Sequence, residues 1–286
     1  MNRIVVLGSS GFLGKSLRQK LSEEKFDVKY MIHKKNTKLK ENEFFGDILD
    51  EKSLLQNIQD GDIVVNLVGQ IDNNFSKFFE TNLKGSFNLL NTAKSKKNIK
   101  IIFASSINVY GESCKYPSKE TDEPNPMTSY SVVKFLSEQL YQKHCKLYGL
   151  DVAVLRFSNI YGKNKKSGII TNIIKSKSNK PVHFTYNGNQ QRDFLFIDDA
   201  IHGIIQVIKK QPKKFEIFNI SSSNKIIPKK IVKLIECISN RKVSYTITKE
   251  KFDEKCIWAD NTKAKKILRF TPKTTFQDGL KITLEN

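Results

Sequence analysis

The 286-residue chain lacks several features that would assign it to a specialised class of protein. No apolar run is long enough to cross a membrane, and the first strand leaves no room for a signal peptide, so we expect a soluble cytoplasmic protein with no membrane partner. Cysteine is scattered and forms no C-x-x-C pair, which predicts free thiols with neither disulfides nor a metal site. The four cysteines are Cys114, Cys145, Cys237 and Cys256.

Arginine is also scarce, although the net charge is +20. The lysines that carry this charge are spread along the whole chain, which favours a solvated surface over a nucleic-acid or membrane partner. Where lysine is the usual cation, an arginine within a motif suggests a need for its rigid fork of donors. Arg156 and Arg192 are therefore candidates for a use of this fork.

A glycine-rich stretch stands between the first predicted strand, Ile4 to Leu7, and a helical pattern. In G-x-x-G-x-x-G, we expect Gly8 to allow a tight turn, Gly11 to let the backbone approach a pyrophosphate, and Gly14 to bring helix and strand together. The helix N-terminus would then present N–H groups and a partial positive charge to the phosphates. This context predicts a dinucleotide site.

Strands and helices then alternate, which predicts a doubly wound parallel sheet of the Rossmann type, with helices on both faces. We expect residues 1–162 to form the dinucleotide-binding domain, with 190–222 returning to it. Residues 163–189 and 223–286 would form a smaller C-terminal α/β substrate-binding domain. The strands predicted after the first span 28–33, 43–45, 63–69, 99–104 and 152–157, and the two long helices span 75–93 and 130–148.

The end of the second strand bears on the choice of cofactor. A carboxylate there would accept hydrogen bonds from the ribose hydroxyls of NAD, but this chain has His33, Lys34 and Lys35 instead. These three side chains suit a 2′-phosphate and favour NADPH. The alternative is a solvated basic loop, which would leave NAD as the cofactor.

Candidate catalytic residues follow the fifth strand, at the edge of the sheet where ligands of such folds bind. Ser105 and Ser106 end this strand, and Tyr130 and Lys134 lie four residues apart on one helical face. A tyrosine of pKa about 10 is a poor acid–base group at neutral pH, and a neighbouring ammonium favours its phenolate. A serine hydroxyl can hold the substrate oxygen beside the phenol.

Together these motifs resemble the extended short-chain dehydrogenase/reductase superfamily, in its NAD-dependent epimerase/dehydratase branch, which acts on nucleotide sugars. The resemblance covers nearly the whole chain and includes further motifs at Asn82 to Gly85, Leu155 to Phe157, Arg192 to Phe194, Phe218 to Ile220, and Ala259-Asp260. It implies Ser106, Tyr130 and Lys134 as the catalytic triad. Ser106 is preferred to Ser105 because it stands four residues before Tyr110.

The resemblance also implies ligand-binding residues and a homodimer formed through the two long helices. The substrate would be a nucleotide-diphosphate sugar held by Ser106, Asn108, Asn159 and Arg192, with Arg192 gripping the diphosphate. The cofactor residues would be Gly8, Ser10, Gly11, Phe12, Leu13, Gly14, His33, Lys34, Lys35, Asp47, Ile48, Leu67, Val68, Gly69, Asn82, Tyr130, Lys134 and Phe157.

Three reactions share this triad. Dehydratases of the branch carry an acid–base pair after the catalytic serine or threonine, where this chain has Ile107 and Asn108, so dehydration is disfavoured. The first interpretation is NADPH-dependent reduction of a 4-keto-6-deoxy nucleotide sugar for surface-polysaccharide synthesis. An NAD-dependent 4-epimerase is the runner-up. A non-catalytic, regulatory NADP-binding protein is the alternative from another class, and such proteins typically lose the tyrosine or the lysine.

Overall fold

A computed structural model describes residues 2–33, 38–69, 75–112, 116–185, 188–248 and 255–285. Contacts between Cα atoms divide the chain into two compact units. Unit 1 comprises Met1–Ser106, Ser129–Arg156 and Ile201–Phe218, and unit 2 comprises Ile107–Thr128, Phe157–Ala200 and Asn219–Asn286. These limits differ from the predicted domains, because residues 107–128 and 190–200 make their contacts within unit 2.

The central feature of unit 1 is a seven-stranded sheet in the order β10-β6-β5-β4-β1-β2-β3. Strand β1 pairs in parallel with β2 and β4, β2 pairs with β3, and β4 pairs with β5. This parallel pairing is that of the predicted Rossmann-type sheet. The strands are β1 Ile4–Leu7, β2 Val28–Ile32, β3 Glu43–Phe45, β4 Ile63–Asn66, β5 Lys100–Ser106, β6 Asp151–Phe157 and β10 Phe215–Ile220. The predicted fold class is therefore confirmed.

Among the strand ends that differ from the predicted limits, those of β4 and β5 lie near the expected site. Strand β4 ends at Asn66, whose side-chain oxygen accepts from the Val68 amide at 3.0 Å and so turns the chain out of the sheet. Strand β5 runs on to Ser106, two residues past its predicted end. Ser105 and Ser106 are thus held by the ladder of the sheet.

The helices of unit 1 cover the sheet. They are α1 Phe12–Glu23, α2 Glu51–Asn57, α3 Phe75–Phe79, α4 Gly85–Lys94, α5 Ser129–Tyr148 and the part of α7 Ile197–Lys210 that follows residue 200. The helix predicted at 75–93 is interrupted by a π-helical turn, Glu80–Lys84. The side-chain nitrogen of Asn82 donates to the Phe78 carbonyl at 2.8 Å. A side chain thus occupies a carbonyl oxygen that would accept from a backbone amide in a regular helix.

Unit 2 contains two small sheets. Strand β9 Gln191–Phe196 pairs with β11 Lys225–Ile226, β13 Cys256–Ile257 and β7 Asn159–Tyr161, while β8 Val182–Phe184 pairs with β12 Tyr245–Ile247. Its helices are α6 Ile169–Lys175, α8 Pro228–Ser239, α9 Thr262–Leu268 and α10 Phe276–Leu284, with a 3₁₀ turn at Ile107–Tyr110. Asp199, at the start of α7, accepts from the Lys273 and Thr274 amides at 2.7 and 3.0 Å and so has a structural role.

Within the described part of the chain, no helix is both long enough and apolar enough to cross a membrane.

Candidate active site

The glycine loop is packed too closely to admit side chains at two of its three glycines. Gly8 has a φ of +81°, and a Cβ there would lie 2.9 Å from backbone atoms of Leu67 and Val68. A Cβ on Gly14 would lie 2.7 Å from the Ser9 Cα and closer still to the Gly8 carbonyl oxygen. Ser9 Oγ also donates to the Met31 carbonyl at 2.8 Å, which ties the loop to β2. The loop therefore has the shape predicted for a dinucleotide cradle.

Gly11 is the N-cap of α1 and has no side chain with which to cap it. The first residues of the helix are Phe12, Leu13 and Gly14. A phosphate is a natural partner for a helix N-terminus, because both hydrogen bonding and the helix dipole favour an anion there. Ser10, also predicted at the cofactor, is exposed in the same loop. These residues fit the pyrophosphate of a dinucleotide.

The end of β2 is less basic than its sequence suggests. Asp47, which follows β3, has its Oδ2 atom 3.5 Å from His33 Nδ1, and both side chains are largely exposed. The other carboxylate oxygen of Asp47 accepts from the Leu49 amide at 2.9 Å. Lys34 and Lys35 lie outside the described residues. A carboxylate is therefore present beside this strand end, although it comes from the neighbouring strand.

Other predicted cofactor residues surround the carboxyl ends of the strands. Ile48 is buried, and a Cβ on Gly85 would lie 2.8 Å from its side chain, so the glycine lets α4 approach the loop after β3. The Leu67 amide donates to the Leu7 carbonyl at 3.0 Å and places Leu67, Val68 and Gly69 beside β1. Phe157 is buried at the end of β6.

Ser106, Tyr130 and Lys134 come together in unit 1, as predicted. The Ser106 hydroxyl is hydrogen-bonded to the Tyr130 phenol, and the Tyr130 ring lies 6.0 Å from that of Phe78 between centroids. Burial raises the pKa of Tyr130, and the Ser106 hydrogen bond opposes this. The sequence predicted a lowering of this pKa by Lys134; in the structure, the loss of solvent around the phenol outweighs other effects.

Lys134 lies in a shielded pocket of backbone, aromatic and amide groups. Its Nζ donates to the Ala104 carbonyl at 3.0 Å and lies 4.9 Å from the centre of the Phe103 ring. A Cβ placed on Gly69 would be no farther than 3.0 Å from both Lys134 Nζ and Asn82 Oδ1, so the two side chains converge on this glycine. Burial lowers the pKa of Lys134 to about 8, which leaves the amine mainly protonated at neutral pH.

The donor fork of Arg156 is used within the protein. Its Nη2 and Nε atoms donate to the Glu138 carboxylate at 2.7 and 3.1 Å, and both side chains are buried. Ser105 Oγ donates to the same carboxylate at 2.5 Å. The arginine in this motif therefore serves an internal ion pair. Sequence reasoning missed Glu138, which its spacing of four residues after Lys134 on a predicted helix could have revealed.

Three predicted substrate residues lie in unit 2. Arg192, for which the sequence indicates a loop and no strand, lies on β9, where its backbone pairs with Ile226 and Ile257 on the two flanking strands. This pairing gives the arginine a rigid base. Asn159 Nδ2 donates to the Asp193 carbonyl at 3.1 Å, and Asn108 lies in the 3₁₀ turn. Their roles toward a substrate stay predictions.

Comparison with known proteins decides the family. A profile of the NAD dependent epimerase/dehydratase family matches residues 4–221. The chain belongs to this family. An uncharacterized UDP-glucose epimerase of Bacillus subtilis is 29% identical to it over 97% of this chain and 95% of the relative. The predicted resemblance to nucleotide-sugar enzymes of the short-chain dehydrogenase/reductase superfamily is confirmed.

Solved structures of family members match almost the whole chain. A UDP-glucose 4-epimerase of Thermotoga maritima, solved with UDP-glucose, is 26% identical, with a TM-score of 0.86 over 99% of this chain and 97% of that one. A UDP-glucuronic acid 4-epimerase of Bacillus cereus, solved with UDP-glucuronic acid and NAD, is 27% identical, with a TM-score of 0.86 over 98% and 97%. The expectation of an NAD(P)-dependent nucleotide-sugar enzyme is thereby confirmed.

Proposed function

We propose that this protein is an NAD-dependent 4-epimerase of UDP-sugars. The observation that carries the chemistry is the hydrogen-bonded pair of Ser106 and Tyr130, with Lys134 one helical turn further along α5. Because three reactions share this triad, the choice among them rests on the points that follow. The next residue, Ile107, is fully buried and has no proton to transfer, which disfavours dehydration. The two solved relatives described above are both 4-epimerases, so the epimerase alternative has more support than 4-keto reduction.

Each member of the triad has a distinct role in this reaction. Tyr130 takes the proton from the C4 hydroxyl and later returns a proton to the C4 oxygen. Lys134, as an ammonium, stabilises the Tyr130 phenolate, and Ser106 holds the C4 oxygen beside the phenol. NAD, when bound, supplies the acceptor and then the donor of the C4 hydride. Because that hydride is returned, the net reaction consumes no cofactor.

The cofactor proposed here is NAD, whereas the sequence favoured NADPH. The relative from Bacillus cereus was solved with NAD. The Asp47 carboxylate beside His33 would repel a 2′-phosphate at the end of β2. Mass spectrometry of small molecules released from the purified protein should detect NAD. Titration of Lys34→Ala/Lys35→Ala should show unchanged NAD binding, and tighter binding of NADP than of NAD by the parent protein would refute the assignment.

The reaction is tested by mixing the protein with UDP-glucose or UDP-glucuronic acid, without added reductant, and following C4 stereochemistry by NMR. We expect one of the two to equilibrate with its C4 epimer. If neither changes, and NADPH is instead oxidised in the presence of a 4-keto-6-deoxy nucleotide sugar, the reductase interpretation replaces this one.

We also propose that the protein's macromolecular partner is a second copy of itself. Helices α4 and α5 lie side by side, with the rings of Phe87 and His144 6.0 Å apart between centroids. Their outer faces expose apolar side chains, including Phe87, Leu136 and Leu147 at 44%, 41% and 71%. An apolar face of this kind on two adjacent helices suits a symmetric helical interface.

Light scattering after size exclusion should therefore give twice the 32.9 kDa chain mass. Leu136→Glu should reduce the measured mass to that of one chain. Lys233→Glu, an exposed change on α8 of unit 2, should leave the mass unchanged. A monomeric parent protein would refute the proposal.

A further inference from the structure

Glu138 and Arg156 form a buried ion pair one helical turn beyond Lys134 of the catalytic triad. The two side chains are 1% and 2% exposed, and Arg156 Nη2 lies 2.7 Å from Glu138 Oε2. Burying two charges is costly and often contributes little to stability. Such a pair is therefore a poor stabilising device, and its position beside the site suggests another use.

The pair connects the two elements that carry the triad with a third, β6. Glu138 lies one turn beyond Lys134 on α5, and Lys134 lies one turn beyond Tyr130. The Glu138 carboxylate also accepts from Ser105 Oγ at the end of β5, next to Ser106. Arg156 approaches the carboxylate from β6, the strand beside β5. One carboxylate thus holds the end of β5 and belongs to the helix that carries Lys134.

The groups around Lys134 show why this charge matters. Tyr130 and Glu138 lie on the same helix as Lys134, one turn to either side. Strand β5 places the Ala104 carbonyl and the Phe103 ring beside the lysine, and its Ser105 is bound to Glu138. The π-helical turn adds the neutral side-chain amide of Asn82, and Arg156 of β6 is bound to Glu138. Among these groups Glu138 carries the negative charge, and it lies one turn from Lys134 on the same helix, where it opposes the effect of burial on the pKa of Lys134.

We propose that Glu138 is a positioning residue for the reaction: it sets the charge of Lys134 and holds the strand end that carries Ser106. The roles of Lys134 and Ser106 rest on the proposed function. Burial lowers the pKa of Lys134, and Glu138 acts in the opposite direction. The Arg156 cation offsets part of the negative charge of Glu138, and so limits the attraction between Glu138 and the Lys134 ammonium. The ion pair thereby adjusts the pH at which the lysine loses its proton.

The test measures the protonation of Lys134 directly, without substrate. The protein is labelled at lysine Cε, the Lys134 resonance is assigned by its loss in Lys134→Met, and its NMR shift is followed against pH. In Glu138→Gln the midpoint should move to lower pH by about one unit or more, because the carboxylate is lost and the Arg156 cation stays. In the double variant Glu138→Gln/Arg156→Met, the Lys134 midpoint should lie between the midpoint of the parent protein and that of Glu138→Gln.

Asp62→Asn is the matched control, because Asp62 forms a similar forked pair with Arg3, at 3.0 and 2.7 Å, beside the amino end of β4. It should leave the Lys134 midpoint unchanged. If Glu138→Gln does not fold, the double variant, which leaves no unpaired buried charge, carries the comparison. A parental midpoint in the folded Glu138 variants would overturn the proposal.

A second readout separates this role from simple loss of stability. In the folded Glu138 variants, the alkaline limb of kcat should move to lower pH in parallel with the NMR midpoint, while KM changes little. A uniform loss of activity at all pH values would instead indicate a structural role and overturn the proposal. Because the NMR titration needs no turnover, a protein that converts no UDP-sugar would refute the proposed function and leave this test intact.

Discussion

Replacing Tyr130 with phenylalanine removes one hydroxyl and leaves the ring in place. The ring keeps its position 6.0 Å from Phe78, and the loss in the folded state is the hydrogen bond with Ser106. Because such a bond contributes only about 0.5–1.5 kcal/mol net, the variant should fold normally. Its turnover should nevertheless fall by roughly 10²–10⁴-fold, the usual contribution of a positioned acid–base group. That loss corresponds to a barrier about 3–5 kcal/mol higher.

The assay compares initial rates of C4 epimerisation of the UDP-sugar that proves to be the substrate, with NAD binding and thermal unfolding measured alongside. Tyr141→Phe is the matched control, because Tyr141 lies on the same helix and accepts from Asn66 Nδ2 at 3.0 Å in the core. It should lose about 1–3 kcal/mol of stability, since Asn66 then lacks this acceptor, but keep its turnover. Near-parental turnover in Tyr130→Phe would refute the proposed role of the phenol.

Four further outcomes follow from the site. Turnover should decline above about pH 8, because burial lowers the pKa of Lys134 to about 8 and the stabilising ammonium is lost as pH rises through that value; a flat profile to pH 10 would contradict this. Arg192→Ala should raise KM for the UDP-sugar by an amount equivalent to about 2 kcal/mol, and equal UDP affinity by calorimetry would exclude Arg192 from the site. Gly14→Ala should cost about 1–3 kcal/mol in thermal unfolding and weaken NAD binding, because its Cβ would overlap the loop backbone; normal NAD affinity would contradict the close packing. The protein should not dehydrate dTDP-glucose, since Ile107 and Asn108 carry no acid–base group, and a 4-keto-6-deoxy product would refute this.

The alternation of apolar strands and helices was readable from the sequence because the central parallel strands, β1 and β4, are buried along their whole length. Ile4 to Leu7 is fully buried, as its β-branched run indicates. Spacing also placed Tyr130 and Lys134 on one helical face. These features depend on local pattern, and they were predicted correctly.

Features that depend on partners distant in the chain were not predicted. The strand character of Arg192 requires β11 and β13, which lie more than 30 residues further along the chain. The ion pair of Arg156 with Glu138 requires a helix and a strand to be packed together. The Asp47 carboxylate approaches β2 from another strand. Pairing of this kind leaves no periodic signal, so the sequence indicated a use for the Arg156 fork but did not show that its partner is Glu138.

Position 69 shows how closely the surroundings of Lys134 are fitted to a bare backbone. A Cβ atom at Gly69 would lie within 3.0 Å of both Lys134 Nζ and Asn82 Oδ1. An alanine there would therefore have to push the end of the lysine side chain aside. Selection on the lysine thus extends to a residue that has no side chain of its own.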